Sequence, residues 1–161
     1  MKAKPKRTKK YNPRAVDRNA CITAITRAKI LRQPVNDDFA GSLEIIVLSA
    51  LDTVMRGYGT RSEWDSIANA LNQAWLMASG GVAAEGIPEL EAAMEAMKRA
   101  VPEFDATGKL QFVSEADLHL VEEGLSIWSW QLRSVSIGEL DAATRLVEKS
   151  YWNTPEKRAA A

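Results

Sequence analysis

Between Leu118 and Leu132 the apolar residues Leu118, Val121, Leu125, Trp128 and Leu132 step by three and four positions in turn, the spacing that lines one side of an α-helix. Strict alternation over a strand's length is hardly seen in the chain, and the helical period recurs in segments that each carry their own stop and start signals. Ile22, Ile25 and Ala28 mark a first helix over about 16–32, which Pro34 cannot continue. Asn36 can cap a second, with Phe39, Leu43, Ile46, Ala50 and Val54 as its stripe and Gly57-Tyr58-Gly59 as its close. Thr60 with Glu63 forms a capping box ahead of Trp64, Ile67, Leu71 and Trp75, a third helix that Gly80-Gly81 ends. Pro88 opens a fourth on Leu90, Met94, Met97 and Val101, stopped by Pro102. Ser114 caps the fifth, the helix of the long seam, which is also apolar at Leu120 and Ile127 and is expected at the centre. Ser136 with Glu139 boxes a sixth over about 137–152, carried by Ile137, Leu140, Thr144 and Val147, with Val135 stapled against Leu140.

Residues 102–113, "PEFDATGKLQFV", do not read as helix; turn chemistry at Asp105-Ala106-Thr107-Gly108 between Phe104 and the Leu110/Phe112 pair fits a short hairpin or an ordered loop. The expected fold is therefore all-α, a single-domain antiparallel bundle of five to six helices over 16–152. A disordered basic arm at 1–15 precedes it and a flexible tail at 153–161 follows. A chain of 161 residues with 46% apolar content is enough to close one core of this kind.

Charge divides the chain. Residues 1–32 carry eleven Lys and Arg against Asp17 alone, a net +10, whereas 33–161 carry ten cations and twenty acids, a net −10. Seven of the cations, Lys2, Lys4, Lys6, Arg7, Lys9, Lys10 and Arg14, fall within thirteen residues that contain no acid. Tyr11 and Pro13 interrupt helix there, and a flexible cationic segment can follow a phosphate backbone without reading bases. Attraction to the acidic body competes with that use, although exposed ion pairs contribute only about 0–1 kcal/mol each and are screened by salt.

Catalytic constellations are scarce. One His and one Cys in the chain leave no intrachain disulfide, no cysteine metal cluster and few routes to nucleophilic catalysis. His119 has Glu115, Glu122 and Glu123 at helical spacing, but a di-metal bundle needs Glu-x-x-His twice, so a solvated charged face is the better reading and no metal or other cofactor is expected. Gly57-Tyr58-Gly59 lacks the strand and the Gly-Lys-Ser/Thr ending of a phosphate loop. "TRSEWDSIANALN" resembles the first helix of a helix-turn-helix, yet "QAWLMASGG" extends that helix where a recognition helix should begin. Trp64 and Trp75 share a core stripe; Trp130 and Trp152 are the aromatics most open to an exposed role. No apolar run approaches a membrane span, no export signal is recognised, and the lone Cys21 suits a reducing cytoplasm.

The start "KRTKKYNPR" and the later "FVSEADLHLVEEGLSIWSWQLRSVSIGELDAA" together resemble small, uncharacterised helical proteins met on bacteriophages, plasmids and genomic islands of proteobacteria. The resemblance rests on the basic Tyr-x-Pro-Arg start and on Leu118-His119, Gln131-Leu132 and Glu139-Leu140. It implies an accessory protein of a mobile element that acts by binding, and assigns no residue a catalytic role. The expected function is then non-enzymatic: the seven arm cations contact nucleic acid or another polyanion. The alternative is an inhibitor or adaptor of phage type whose acidic body, with Glu89, Glu91, Glu122 and Glu123, docks on a basic host protein. Either is compatible with a homo-oligomer.

Overall fold

The computed structural model describes residues 18–152 except 103, 105–107 and 109, with side chains from 23 to 150. The arm, its seven cations and the tail at 153–161 lie outside the described residues. Six helices longer than one or two turns form the bundle: α1 (Arg18–Leu31), α2 (Asp37–Met55), α3 (Arg61–Ser79), α4 (Ile87–Arg99), α5 (Glu115–Ser134) and α6 (Ile137–Trp152), with a 3-10 turn at Ala84–Gly86 before α4. Among the described residues there is no strand, only one antiparallel bridge between Pro34 and Ser136. Among the described residues no helix is long and apolar enough to cross a membrane.

Helix starts follow local hydrogen bonds. The Asn36 side chain accepts from Phe39 N at 2.7 Å, and Asp37 and Asp38 suit the positive end of α2. Thr60 N donates to Glu63 Oε2 at 2.9 Å, completing the capping box of α3. Ser114 Oγ accepts from Asp117 N at 3.1 Å, and Ser136 N donates to Glu139 Oε2 at 2.7 Å. Between α3 and α4 the backbone reverses through Gly81 at φ 100° and Ala83 at φ 57°, left-handed conformations that end one helix before Pro88 enters the next.

The hub is α3, which packs on α2, α4, α5 and α6. α5, expected at the centre, packs chiefly on α4 and then on α3 and α2. Three helices approach closely at Gly124: a Cβ there would lie 2.8 Å from Ala93 Cβ on α4 and 2.8 Å from Leu71 Cδ2 on α3. Arg99 pairs with Asp117 at one end of the α4–α5 contact, and Gly86 sits against Ile127 at the other, so the two helices run antiparallel. Small residues make this closeness feasible; Ala70, Ala74, Ala93 and Ala96 are all buried.

Two expectations about faces need correction. On α2, Phe39 and Ile46 are exposed, at 48% and 59%, while Ala40, Val47 and Leu51 are buried beside Ala50 and Val54. The helix is apolar on nearly every side, so periodicity could not choose its inner face; α3 and α5 did. On α4, Val101 is exposed, and Ala93, Ala96 and Ala100 fill the contact in its place. Over 102–113 the described residues form no hairpin. Pro102 does not stop the helical path as expected: past the turn at Ala100 that ends α4, Val101, Pro102 and Phe104 are helical, with Phe104 N donating to Ala100 O, and beyond them Leu110 is buried and Phe112 tilts against Trp64 at 5.3 Å between ring centroids.

Half-buried and buried polar side chains then tie the hub together. Trp128 Nε1 donates to Gln73 Oε1 at 3.3 Å, Gln73 Nε2 donates to Thr144 Oγ1 at 3.2 Å, and that hydroxyl donates to Leu140 O at 2.9 Å, linking α5, α3 and α6. Gln131, fully buried, donates from Nε2 to Ala74 O at 3.1 Å and Val82 O at 2.8 Å, fixing the turn after α3. Two variants test this packing. Gly124→Ala forces α4 and α5 apart and lowers unfolding free energy by about 1–2 kcal/mol, in spite of the better helix propensity of Ala. Gln131→Leu strands Val82 O and costs about 1–3 kcal/mol. Urea midpoints against the parent protein measure both.

Candidate functional site

The basic segment of the chain enters the described structure as α1. Every side chain from Thr23 to Ile30 is exposed, and α6 is the one helix with which α1 makes a substantial contact. The cause lies in the connector. Val35 N donates to Val135 O at 3.1 Å and Ile137 N to Gln33 O at 2.8 Å, so residues 33–35 are held beside the α5–α6 junction. Gly138 lets Leu31 settle there, since a Cβ at 138 would fall 2.8 Å from Leu31 O. Pinned at this point, α1 stands at the edge of the bundle.

Its charges differ from those of the body. Arg27, Lys29 and Arg32 make no ion pair among the described residues, whereas Arg56, Arg61, Lys98, Arg99, Arg133 and Arg145 each pair with a carboxylate. The strongest body pairs are structural ties. Arg133 grips Glu44, which Ser129 also bonds, joining α5 to α2; the Arg133 hydrogen bond holds the Glu44 carboxyl below its ordinary value, against the opposing effect of burial. The Asp117 side chain is 7% exposed, and the hydrogen bond from Arg99 lowers its carboxyl most, with Ser114 adding to that.

The other candidate residues are scattered. Glu89 and Glu91 are exposed on α4, and Glu91 Oε1 accepts from Trp75 Nε1 at 3.3 Å. Glu122 and Glu123 are exposed on α5, about 100° apart as neighbours on a helix, so they point to different sides. His119 lies 3.9 Å from Glu122 and 3.6 Å from Glu123, and its side chain is 71% exposed. Among the described residues no group of three His, Cys, Asp or Glu could hold a metal ion. α3 continues without a break to Ser79, and the next helix presents Glu89, Glu91 and Glu95 where a base-reading helix would need donors. Trp130 is exposed at 56%, Trp64 and Trp128 are buried, and the side chain of Trp152 lies outside the described residues.

Sequence reasoning missed Glu44, Asp117 and Gln131, because nothing within a helical turn of any of them announces a partner on another helix. No family model matches the chain, and no curated protein or solved structure matches it either.

The two tied carboxylates set an acid sensitivity. Because the folded values of Glu44 and Asp117 are depressed, their contribution is present above the ordinary carboxylate range and is lost as pH falls through the folded values, below about pH 4. Urea midpoints should therefore drop on acidification through that window. In a Glu44→Gln, Asp117→Asn double variant the midpoint is lower at neutral pH and the acid slope is shallower; an unchanged slope refutes the assignment.

Proposed function

We propose that this chain is a non-enzymatic binding protein, an accessory of a mobile genetic element, that holds nucleic acid through its basic N-terminal arm. Lys2, Lys4, Lys6, Arg7, Lys9, Lys10 and Arg14 make the phosphate contacts, and α1 continues their charge to the rim of the bundle. One observation carries the reading: the body uses its own cations in ion pairs, while those of α1 are left without a carboxylate among the described residues. Cations kept free at the edge of an acidic body are available to a polyanion. Little sequence preference goes with this, since an arm of Lys and Arg without a groove-filling element reads phosphate and not base edges. The reading assigns no catalytic role and no cofactor, and its site of action is the cytoplasm. In the competing reading the exposed Glu89, Glu91, Glu122 and Glu123 dock on a basic host protein; charge reversal at those four positions would then abolish activity that loss of the arm spares.

The arm sets a ceiling on salt dependence. Seven duplex contacts would give a log–log slope near −6, at about −0.9 per contact; repulsion from the acidic body leaves about three to five effective contacts and micromolar affinity near physiological salt. Titrating labelled duplex and single-stranded DNA and RNA with the full chain, and with a form starting at Ala15, checks this. Equal affinity of the two forms, or no binding by the full chain at low salt, refutes it.

A further inference from the structure

A stripe on the outer side of α2 and a run of positions along α1 match each other in spacing and in chemistry. On the outer side of α2, Asp38, Gly41, Ile45, Leu48 and Asp52 follow one another at steps of three and four, and Ile45 and Leu48 are 68% and 55% exposed. These positions lie away from Val47 and Val54, which face the core. Along α1 and its first following residue, Arg18, Ile22, Ile25, Lys29 and Arg32 take the same steps, with Ile25 exposed at 58%. This is the period of an antiparallel helix seam.

Laid antiparallel, the stripes agree at every level. Arg18 falls opposite Asp52, Ile22 opposite Leu48, Ile25 opposite Ile45 and Arg32 opposite Asp38, while Lys29 passes over Gly41, where no side chain stands in its way. Charges lie at both ends and isoleucines and leucine in the middle. Beside Leu48 an open groove of about 430 Å³ has an apolar floor of Val47, Leu51 and Leu125 and a polar side of Glu44, Glu122, Ser126 and Ser129, so it extends the surface that such a helix would cover.

The α1 of the same chain does not fill this seam. Its C-terminal end is pinned to the α5–α6 junction by the Val35–Val135 and Ile137–Gln33 backbone bonds and by Leu31 over Gly138, and it rests on α6. A helix of 14 residues with one lateral contact is marginal in water and gains from a second. We propose that a second copy of this chain supplies the occupant: two chains pair about a two-fold axis, each laying its α1 along the Asp38–Asp52 stripe of the other. The exchange is reciprocal, so the assembly closes as a dimer. Arg27, two positions from Ile25 and so about 200° around α1, stays outside the seam, as does the arm. The inference is independent of what the arm binds.

Sedimentation velocity on the full chain over a range of concentrations tests it. The expected result is a monomer–dimer equilibrium, shifted towards monomer by Ile25→Glu and by Ile45→Glu. Each weakens association about a hundredfold or more, because a two-fold interface carries every change twice. Both positions are exposed in the single chain, so circular dichroism should show the body still folded. Arg32→Asp and Asp38→Arg each weaken the dimer by about tenfold, and the two combined restore it. A full chain that stays monomeric at every concentration overturns the proposal, including the case in which its own α1 closes on α2. A dimer that survives Ile45→Glu, or a charge exchange that fails to rescue, overturns it as well.

Discussion

At Gly124 three helices come closer than side chains normally permit, with Ala93 of α4 and Leu71 of α3 occupying the space where a Cβ would project. The rest of the bundle depends on that approach. It brings Arg99 within reach of Asp117, joining the C-terminal end of α4 to the N-terminal end of α5, and it seats Gly86 against Ile127 at the opposite end. Dispersion forces fall steeply with distance, so close-packed Ala and Gly contacts compensate in number for what they lack in area. Once α3, α4 and α5 are locked, α2 and α6 pack on the remaining sides of α3.

Polar groups in the interior follow from the same geometry. Helices this close carry their backbone carbonyls near neighbouring side chains, and Gln131 satisfies two of them from a position with no exposure. Gln73 serves Trp128 and Thr144 at once, so the large indole of α5 is buried with its N–H bonded. Each of these bonds has its partner on another element, which gives the hub one arrangement in place of several similar ones.

The charge pattern sets α1 apart from the framework. Among the described body cations, Arg56, Arg61, Lys98 and Arg145 pair with carboxylates within a turn of them, and Arg99 and Arg133 with carboxylates on a facing helix. α1 contains no acid to do the same, and the 33–35 connector holds it beside α6. Under the two proposals made above, the helix would serve on two sides, since Arg27 lies about 200° around α1 from the stripe of Ile25 and Lys29. A dimer built on that stripe would place two basic arms on one particle and raise the effective concentration of the second arm for a long polyanion.

The sequence by itself determined where the helices begin and end and how the charge is divided. Asn36, Thr60 with Glu63, Ser114, and Ser136 with Glu139 act on backbone groups two or three residues away, so their effect can be read without knowing the rest of the fold. The seam of α5 was legible for a related reason: Val121, Leu125, Trp128 and Leu132 recur at steps of three and four, and all four are buried. α2 has no such bias, and Ile46 and Val47 are equally good candidates until α3 and α5 take up the Val47 side. Glu44 with Arg133, Asp117 with Arg99, and Gln131 with the turn at Val82 were likewise decided by the tertiary structure alone. Their partners lie 18 to 89 positions away along the chain, and no local pattern encodes a contact whose distance in space is set by how other helices pack.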